Sequence, residues 1–89
     1  MIRREVRVTN RLGLHARAAA RFVQTANRYR SRVTLGRETR AMDGKSILGI
    51  LLLAAAQGST LVVTADGEDE EAAVSALADL ITGRFGEEN

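Results

Sequence analysis

One histidine and a nearby arginine carry the chemistry that this sequence offers. His15 is the only histidine of the 89 residues, and Arg17 follows two positions later. A neutral imidazole is a nucleophile, and a guanidinium holds phosphate oxygens through a planar set of donors. The pair therefore indicates a site that accepts a phosphoryl group. The alternative is a histidine that only caps a helix or lies on the surface.

The start of a predicted helix positions this pair. Small apolar residues recur at helical spacing over Ala16 to Asn27, and Asn10 to Leu14 forms a turn before them. His15 is therefore expected at a helix N-terminus, where free amide N–H groups and the helix dipole favour an anion and disfavour a charged imidazolium. The backbone groups expected to cradle the phosphoryl oxygens are those of Ala16, Arg17 and Ala18.

The hydrophobic pattern predicts the element order β-α-β-β-α-β-α. The predicted strands are Ile2 to Thr9, Arg32 to Gly36, Thr39 to Met42 and Thr60 to Ala65. The predicted helices are Ala16 to Asn27, Ile47 to Ala56, and a last helix that starts near Asp69, Glu70 and Glu71 and runs to about Thr82. We expect an α+β open-faced sandwich, in which a four-stranded antiparallel sheet carries three helices on one face. Residues 1–89 should form one domain, with a frayed tail from Gly86 to Asn89.

The second predicted helix carries two further candidate features. Ser46 precedes it as an N-cap, and Gly58 is expected to provide its left-handed end. The helix is apolar nearly all round, yet a domain of this size buries only part of its circumference. The residues expected to be partly exposed, and so to form a partner surface, are Ile47, Leu48 and Leu51. The alternative is that all three belong to the core.

Composition excludes several classes of protein. Without cysteine and with a single histidine, the chain offers neither a disulfide nor a plausible zinc site, so no metal or cofactor is expected. The longest apolar run, Ile50 to Ala56, is far shorter than the roughly 20 residues that span a bilayer. The start of the chain also lacks the apolar core of a signal peptide. We therefore expect a cytoplasmic protein without membrane insertion.

Charge is distributed unevenly along the chain. Residues 1–45 contain 12 Lys and Arg against 3 Asp and Glu, whereas residues 46–89 contain 1 against 8. A basic first half is compatible with nucleic-acid binding, but the three aromatic residues leave little for base stacking. We expect the two halves to interleave in one fold and the basic face to meet an acidic protein partner.

Two motifs at matching spacing resemble the HPr family, the histidine-containing phosphocarriers of the bacterial phosphoenolpyruvate-dependent phosphotransferase system. The first is the stretch Asn10-Arg11-Leu12-Gly13-Leu14-His15-Ala16-Arg17, which is similar to the phosphorylation site of that family. The second is Lys45-Ser46-Ile47-Leu48-Gly49-Ile50-Leu51, which is similar to the stretch around its regulatory serine. The resemblance covers essentially the whole chain.

The resemblance implies a specific sequence of partners. His15 would take a phosphoryl group on Nδ1 from enzyme I and pass it to an enzyme IIA domain, with Arg17 stabilising the group. HPr kinase/phosphorylase would phosphorylate Ser46, and the exposed apolar residues of the second helix would form the docking surface. One position departs from the family, which usually has proline where this chain has Ala18.

The leading hypothesis is therefore a phosphoryl-group carrier with a covalent phosphohistidine, expected to be a monomer because it visits several partners in turn. The main alternative is a regulatory binding protein of the same fold, controlled through Ser46 and without a role in sugar transport. Nucleic-acid binding through the arginine-rich half is a third and weaker alternative. The downstream acceptor is left open between sugar uptake, nitrogen-related signalling and transcriptional control.

Overall fold

A computed structural model describes residues 1–88. The strands are β1 (Ile2–Arg7), β2 (Arg32–Arg37), β3 (Arg40–Asp43) and β4 (Thr60–Asp66). The helices are α1 (Ala16–Ala26), α2 (Ile47–Leu52) and α3 (Glu70–Thr82), followed by a 3-10 turn at Arg84–Gly86. The strands form one antiparallel sheet in the order β1-β4-β2-β3. The predicted open-faced sandwich is confirmed.

The sheet is formed from strands whose apolar residues alternate. In β4, Leu61, Val63 and Ala65 are fully buried, and the residues between them point to the opposite face. The register places Leu61 opposite Val6 of β1 and Ala65 opposite Val33 of β2, so one face of the sheet is continuously apolar. The hydrophobic core lies between this face and the helices.

Small side chains let α1 lie close to the rest of the core. Ala18, Ala19 and Ala26 are completely buried, and Phe22 fills the space between them. Helix α1 packs against both α2 and α3. The position of its first turn, and therefore of His15, is fixed by this packing. Within residues 1–88, no helix has the length and apolar character needed to cross a bilayer.

Helix α2 is shorter than the sequence predicts. It ends at Leu52 instead of Ala56, because the following carbonyls bind elsewhere. The carbonyl of Leu53 accepts from the Arg37 guanidinium at 3.2 Å, and that of Ala55 accepts from the Leu14 amide at 2.8 Å. Ala54 takes the left-handed conformation, with φ of 50°. The prediction that Gly58 ends this helix is therefore wrong.

The C-terminal residues also differ from the prediction. Gly86 and Glu87 do not form a frayed tail, because their amides donate to the carbonyls of Gly83 and Arg84 at 3.1 and 2.9 Å. Phe85, which directly precedes Gly86, is completely buried in the core. Asn89, the end of the predicted tail, lies outside the described residues.

The carboxylate of Asp69 connects the start of α3 to the segment between α1 and β2. It accepts hydrogen bonds from the amides of Arg30 and Ser31, at 2.8 and 3.0 Å, and from the Ser31 hydroxyl. These hydrogen bonds stabilise the ionised carboxylate and lower the pKa of Asp69 from 3.8 to about 2. The bond from the Ser31 hydroxyl has the largest effect. The Asp69 side chain thus binds the segment before β2 and makes no capping hydrogen bond within its own helix.

This contact predicts a pH-dependent stability. Because the folded-state pKa is the lower one, ionised Asp69 stabilises the fold above about pH 4, and this contribution is lost as the pH falls towards about 2. Asp69→Asn should therefore lower the Tm at neutral pH, and the difference from wild type should shrink over that range. Thermal unfolding followed by circular dichroism measures it. Asp79→Asn, the same change at an exposed position of α3, is the control, and a constant difference down to pH 2 would contradict the assignment.

Candidate functional site

His15 lies at the N-terminus of α1, as the sequence predicts. It is the N-cap residue, with the extended backbone angles φ −81° and ψ 179°. The turn before it is fixed by Gly13, which has a φ of +66°, and a Cβ atom there would lie 2.5 Å from the carbonyl oxygen of Ala55. Only glycine suits both the conformation and this close approach. The turn and the segment that follows α2 together hold His15 in place.

Both ring nitrogens of His15 have partners. Nδ1 accepts a hydrogen bond from the backbone N–H of Arg17 at 3.3 Å, and Nε2 contacts the carboxylate of Glu87. A carboxylate only accepts, so Nε2 carries the proton in this pair, and Nδ1 retains its lone pair. This arrangement is that of a neutral ring with Nδ1 as its nucleophilic atom. The side chain is 25% exposed, which leaves one side open to solvent.

Glu87 is held in place as an anion. Its other oxygen accepts from the side-chain amide of Asn10 at 2.8 Å. Burial opposes ionisation, but the hydrogen bonds from Asn10 and His15 outweigh it and hold the pKa of Glu87 below its ordinary value. Asn10 itself is completely buried and also donates to the carbonyl of Gly13 at 2.8 Å. Asn10, His15 and Glu87 therefore form one connected group.

The first turn of α1 offers free donors beside this group. Among residues 1–88, the amides of Ala16 and Ala18 donate no hydrogen bond, whereas the amide of Arg17 is directed to Nδ1. The Arg17 side chain is exposed, and its guanidinium pairs with no other group in the described part of the chain. These donors face no competing acceptor, and so can bind an anion attached near Nδ1.

Ser46 is the N-cap of α2, which confirms the prediction of its structural role. Its hydroxyl oxygen accepts from the amide of Gly49 at 3.1 Å. The apolar residues after it divide between core and surface. Ile47 and Leu48 are exposed, the latter by 69%, whereas Leu51 is half-buried and packs against the core. Leu52 is also exposed, which was not predicted from the sequence.

Comparison with known proteins identifies the family. A family model described as the PTS HPr component phosphorylation site matches residues 2–83. The chain belongs to the HPr family. The phosphocarrier protein HPr of Xylella fastidiosa is 49% identical over 88 residues, which cover 99% of each chain. HPr-C-His from Thermoanaerobacter tengcongensis is similar over 100% of both chains, with 43% identity and a TM-score of 0.95. An HPr dimer from that organism has 44% identity and a TM-score of 0.78, covering 92% of this chain and 94% of that one.

Two residues of this HPr-family site were not predicted from the sequence. They are Asn10, a buried residue that donates hydrogen bonds to Gly13 and Glu87, and Glu87, the partner of His15. The signal for Glu87 was indirect. Phe85 is the one large apolar residue after α3, so its burial draws the next two residues back towards the core. Leu12, in the turn before His15, is 68% exposed and was likewise not predicted to be a surface residue.

The alanine at position 18 leads to a prediction about rigidity. Because its amide has no acceptor in the described chain, proline at this first-turn position loses no hydrogen bond and restricts the unfolded chain. Ala18→Pro should stabilise the fold by roughly 0.4–1 kcal/mol, measured by chemical denaturation. Ala20→Pro, whose amide lies inside the helix, is the control and should destabilise by about 3 kcal/mol. A lower stability for Ala18→Pro would show that the amide or the surrounding space is already in use.

Proposed function

We propose that this HPr-family chain accepts a phosphoryl group on Nδ1 of His15 from enzyme I, with phosphoenolpyruvate as the ultimate donor, and passes it to an enzyme IIA domain. The observation that carries the proposal is the ring geometry. Nε2 holds the proton against Glu87, and Nδ1 keeps its lone pair beside the free amides of α1. The ring is also partly exposed, as transfer between proteins requires.

The proposed transfer is a simple displacement at phosphorus. The lone pair of Nδ1 forms an N–P bond while the bond between phosphorus and the donor breaks, and its electron pair leaves with the donor. The amide of Arg17 and the free amides of Ala16 and Ala18 then bind the phosphoryl oxygens, together with the Arg17 guanidinium. The protein acts as a group carrier with a covalent intermediate, without a cofactor of its own.

The docking surface that we propose combines the exposed residues of α2 with the turn before His15. Its members are Leu12, Ile47, Leu48, Leu51 and Leu52. The basic first half of the chain, which includes Arg17 next to His15, favours acidic partner surfaces. Enzyme I, enzyme IIA domains and HPr kinase/phosphorylase would bind here in turn, in the cytoplasm. Neither nucleic acid nor membrane insertion is part of this proposal.

The monomeric state stays a prediction. A carrier that exposes one surface to successive partners works best when no second copy covers that surface. The dimeric relative from Thermoanaerobacter tengcongensis makes the oligomeric state a necessary measurement, which sedimentation at working concentration supplies.

His15 and Arg17 provide the direct test of the carrier function. His15→Ala should abolish acid-labile phosphorylation by enzyme I and phosphoenolpyruvate. His15→Asn should do the same while keeping an N-cap acceptor, which separates loss of the nucleophile from loss of the cap. Arg17→Ala should slow transfer severely, because a charge-assisted contact is lost. Arg28→Ala, the same change just beyond the other end of α1, is the control. Acid-labile phosphate on both His15 variants would contradict the proposal.

We further propose that Ser46 is a regulatory phosphorylation site as well as a cap. Phosphorylation would add almost two negative charges next to the docking surface, where an acidic partner would be repelled. The capping bond to Gly49 shows that the hydroxyl faces the first turn of α2, so the modification would change this end of the helix directly.

Charge variants separate regulation from capping. Ser46→Asp should leave the Tm within a few degrees of wild type but weaken phosphotransfer from enzyme I at low salt, and added salt should reduce the defect. Ser46→Ala should cost on the order of 1 kcal/mol of stability without that salt-dependent defect. Ser75→Asp, at an exposed position of α3, controls for net charge. Equal transfer rates for Ser46→Asp and wild type at low ionic strength would leave Ser46 only its capping role.

A further inference from the structure

Residues 83–88, which we call the C-terminal strap, follow an unusual backbone path. Arg84, Phe85 and Gly86 have φ values of 60°, 54° and 80°, so three consecutive residues are left-handed. Two of them are not glycine, and the left-handed conformation is unfavourable for such residues. A path of this kind persists only where surrounding contacts fix it. The strap is therefore a built feature of the fold and not a simple continuation of α3.

Contacts of Phe85 and Glu87 fix the strap against the first part of the chain. Phe85 is completely buried in the core, and its carbonyl accepts a hydrogen bond from the Arg21 guanidinium. Beyond it, one oxygen of Glu87 accepts from the buried Asn10 at 2.8 Å. The second oxygen of Glu87 is left for Nε2 of His15. The burial of Phe85 and the hydrogen bond from Asn10 thus direct the carboxylate towards the ring, and neither contact involves the ring itself.

We propose that Glu87 is a positioning residue for phosphoryl acceptance at His15, an inference that rests on the carrier function proposed above. The carboxylate holds the proton on Nε2 and fixes the plane of the ring, so the lone pair of Nδ1 is directed to the first turn of α1, where the amides would bind the phosphoryl oxygens. Once the N–P bond has formed, Nε2 still carries its proton, and the ring has a positive charge that faces the carboxylate. Glu87 does not itself take the proton, as with the carboxylates of other oriented histidines.

Substitutions at Glu87 distinguish a positioning role from a purely structural one. Glutamine has an oxygen that still accepts from Asn10, so Glu87→Gln keeps the strap in place but removes the charge that faces Nε2. Glu87→Asp keeps the charge but is one methylene shorter. Glu88 offers a matched control, because it is the exposed neighbour of Glu87 and its side chain makes no hydrogen bond or ion pair within residues 1–88.

The experiment compares wild type, Glu87→Gln, Glu87→Asp and Glu88→Gln in three measurements. Single-turnover transfer from phosphorylated enzyme I gives the rate of acceptance. Nitrogen-15 NMR of the His15 ring reports, without any partner, which nitrogen carries the proton. Thermal unfolding reports whether the strap remains in place.

We expect Glu87→Gln to accept the phosphoryl group roughly ten- to a hundredfold more slowly than Glu88→Gln, the size of effect that loss of such a partner has at metal-bound histidines. Its ring signals should move towards a mixture of the two tautomers while its Tm stays within a few degrees of wild type. Glu87→Asp should recover part of the rate. Equal rates for Glu87→Gln and Glu88→Gln would overturn the inference, as would a slower rate with unchanged ring signals and a lowered Tm. A wild-type protein that enzyme I does not phosphorylate would instead contradict the proposed function, and this inference with it.

Discussion

The side-chain amide of Asn10 is the interaction on which the site depends. Its nitrogen donates both protons, one to the carbonyl of Gly13 in the turn before His15 and one to Glu87 in the C-terminal strap. Two segments 77 positions apart are thereby joined through one buried group. Asparagine suits this position because an aspartate would place a carboxylate against two acceptors. Its own oxygen has no partner within residues 1–88, and leaving such a group unpaired costs about 1–3 kcal/mol. The two donated bonds, one of them to an anion, offset this cost.

The core sets the position of these groups. Alanines on the buried face of α1 bring the helix close to its neighbours, and Phe22 and Phe85 fill the remaining space. Because Phe85 belongs to the same core as α1, the strap and the helix that carries His15 are held relative to each other by packing. The polar contacts then need to adjust only the last bond rotations of Glu87 and His15.

Local signals in the sequence were sufficient for most of the fold. The β-branched residues of Thr60 to Ala65 predict a central strand, helical spacing after a turn predicts the start of α1, and the N-cap Ser46 predicts the start of α2. Each of these patterns acts between residues close in sequence. The end of α2 was not predictable in this way. It depends on Arg37 and Leu14, which bind the carbonyls after Leu52 across the tertiary structure. The strap was missed for the same reason, since its partners Asn10, His15 and Arg21 lie in the first quarter of the chain.

The same division explains which parts of the site could be predicted. His15, Arg17 and the free amides follow from a single helix start, so the proposed nucleophile and its proposed anion-binding donors can be identified from adjacent residues. The orientation of the ring cannot be predicted from adjacent residues, because it depends on the group that contacts Nε2. A helix N-terminus alone leaves either ring nitrogen free to face the amides. The carboxylate of Glu87 removes that choice, since a ring that donates from Nε2 has its lone pair on Nδ1. The helix start therefore determines which residue is the proposed nucleophile, whereas the contact with Glu87, 72 positions away in the sequence, determines which of its ring nitrogens keeps the lone pair.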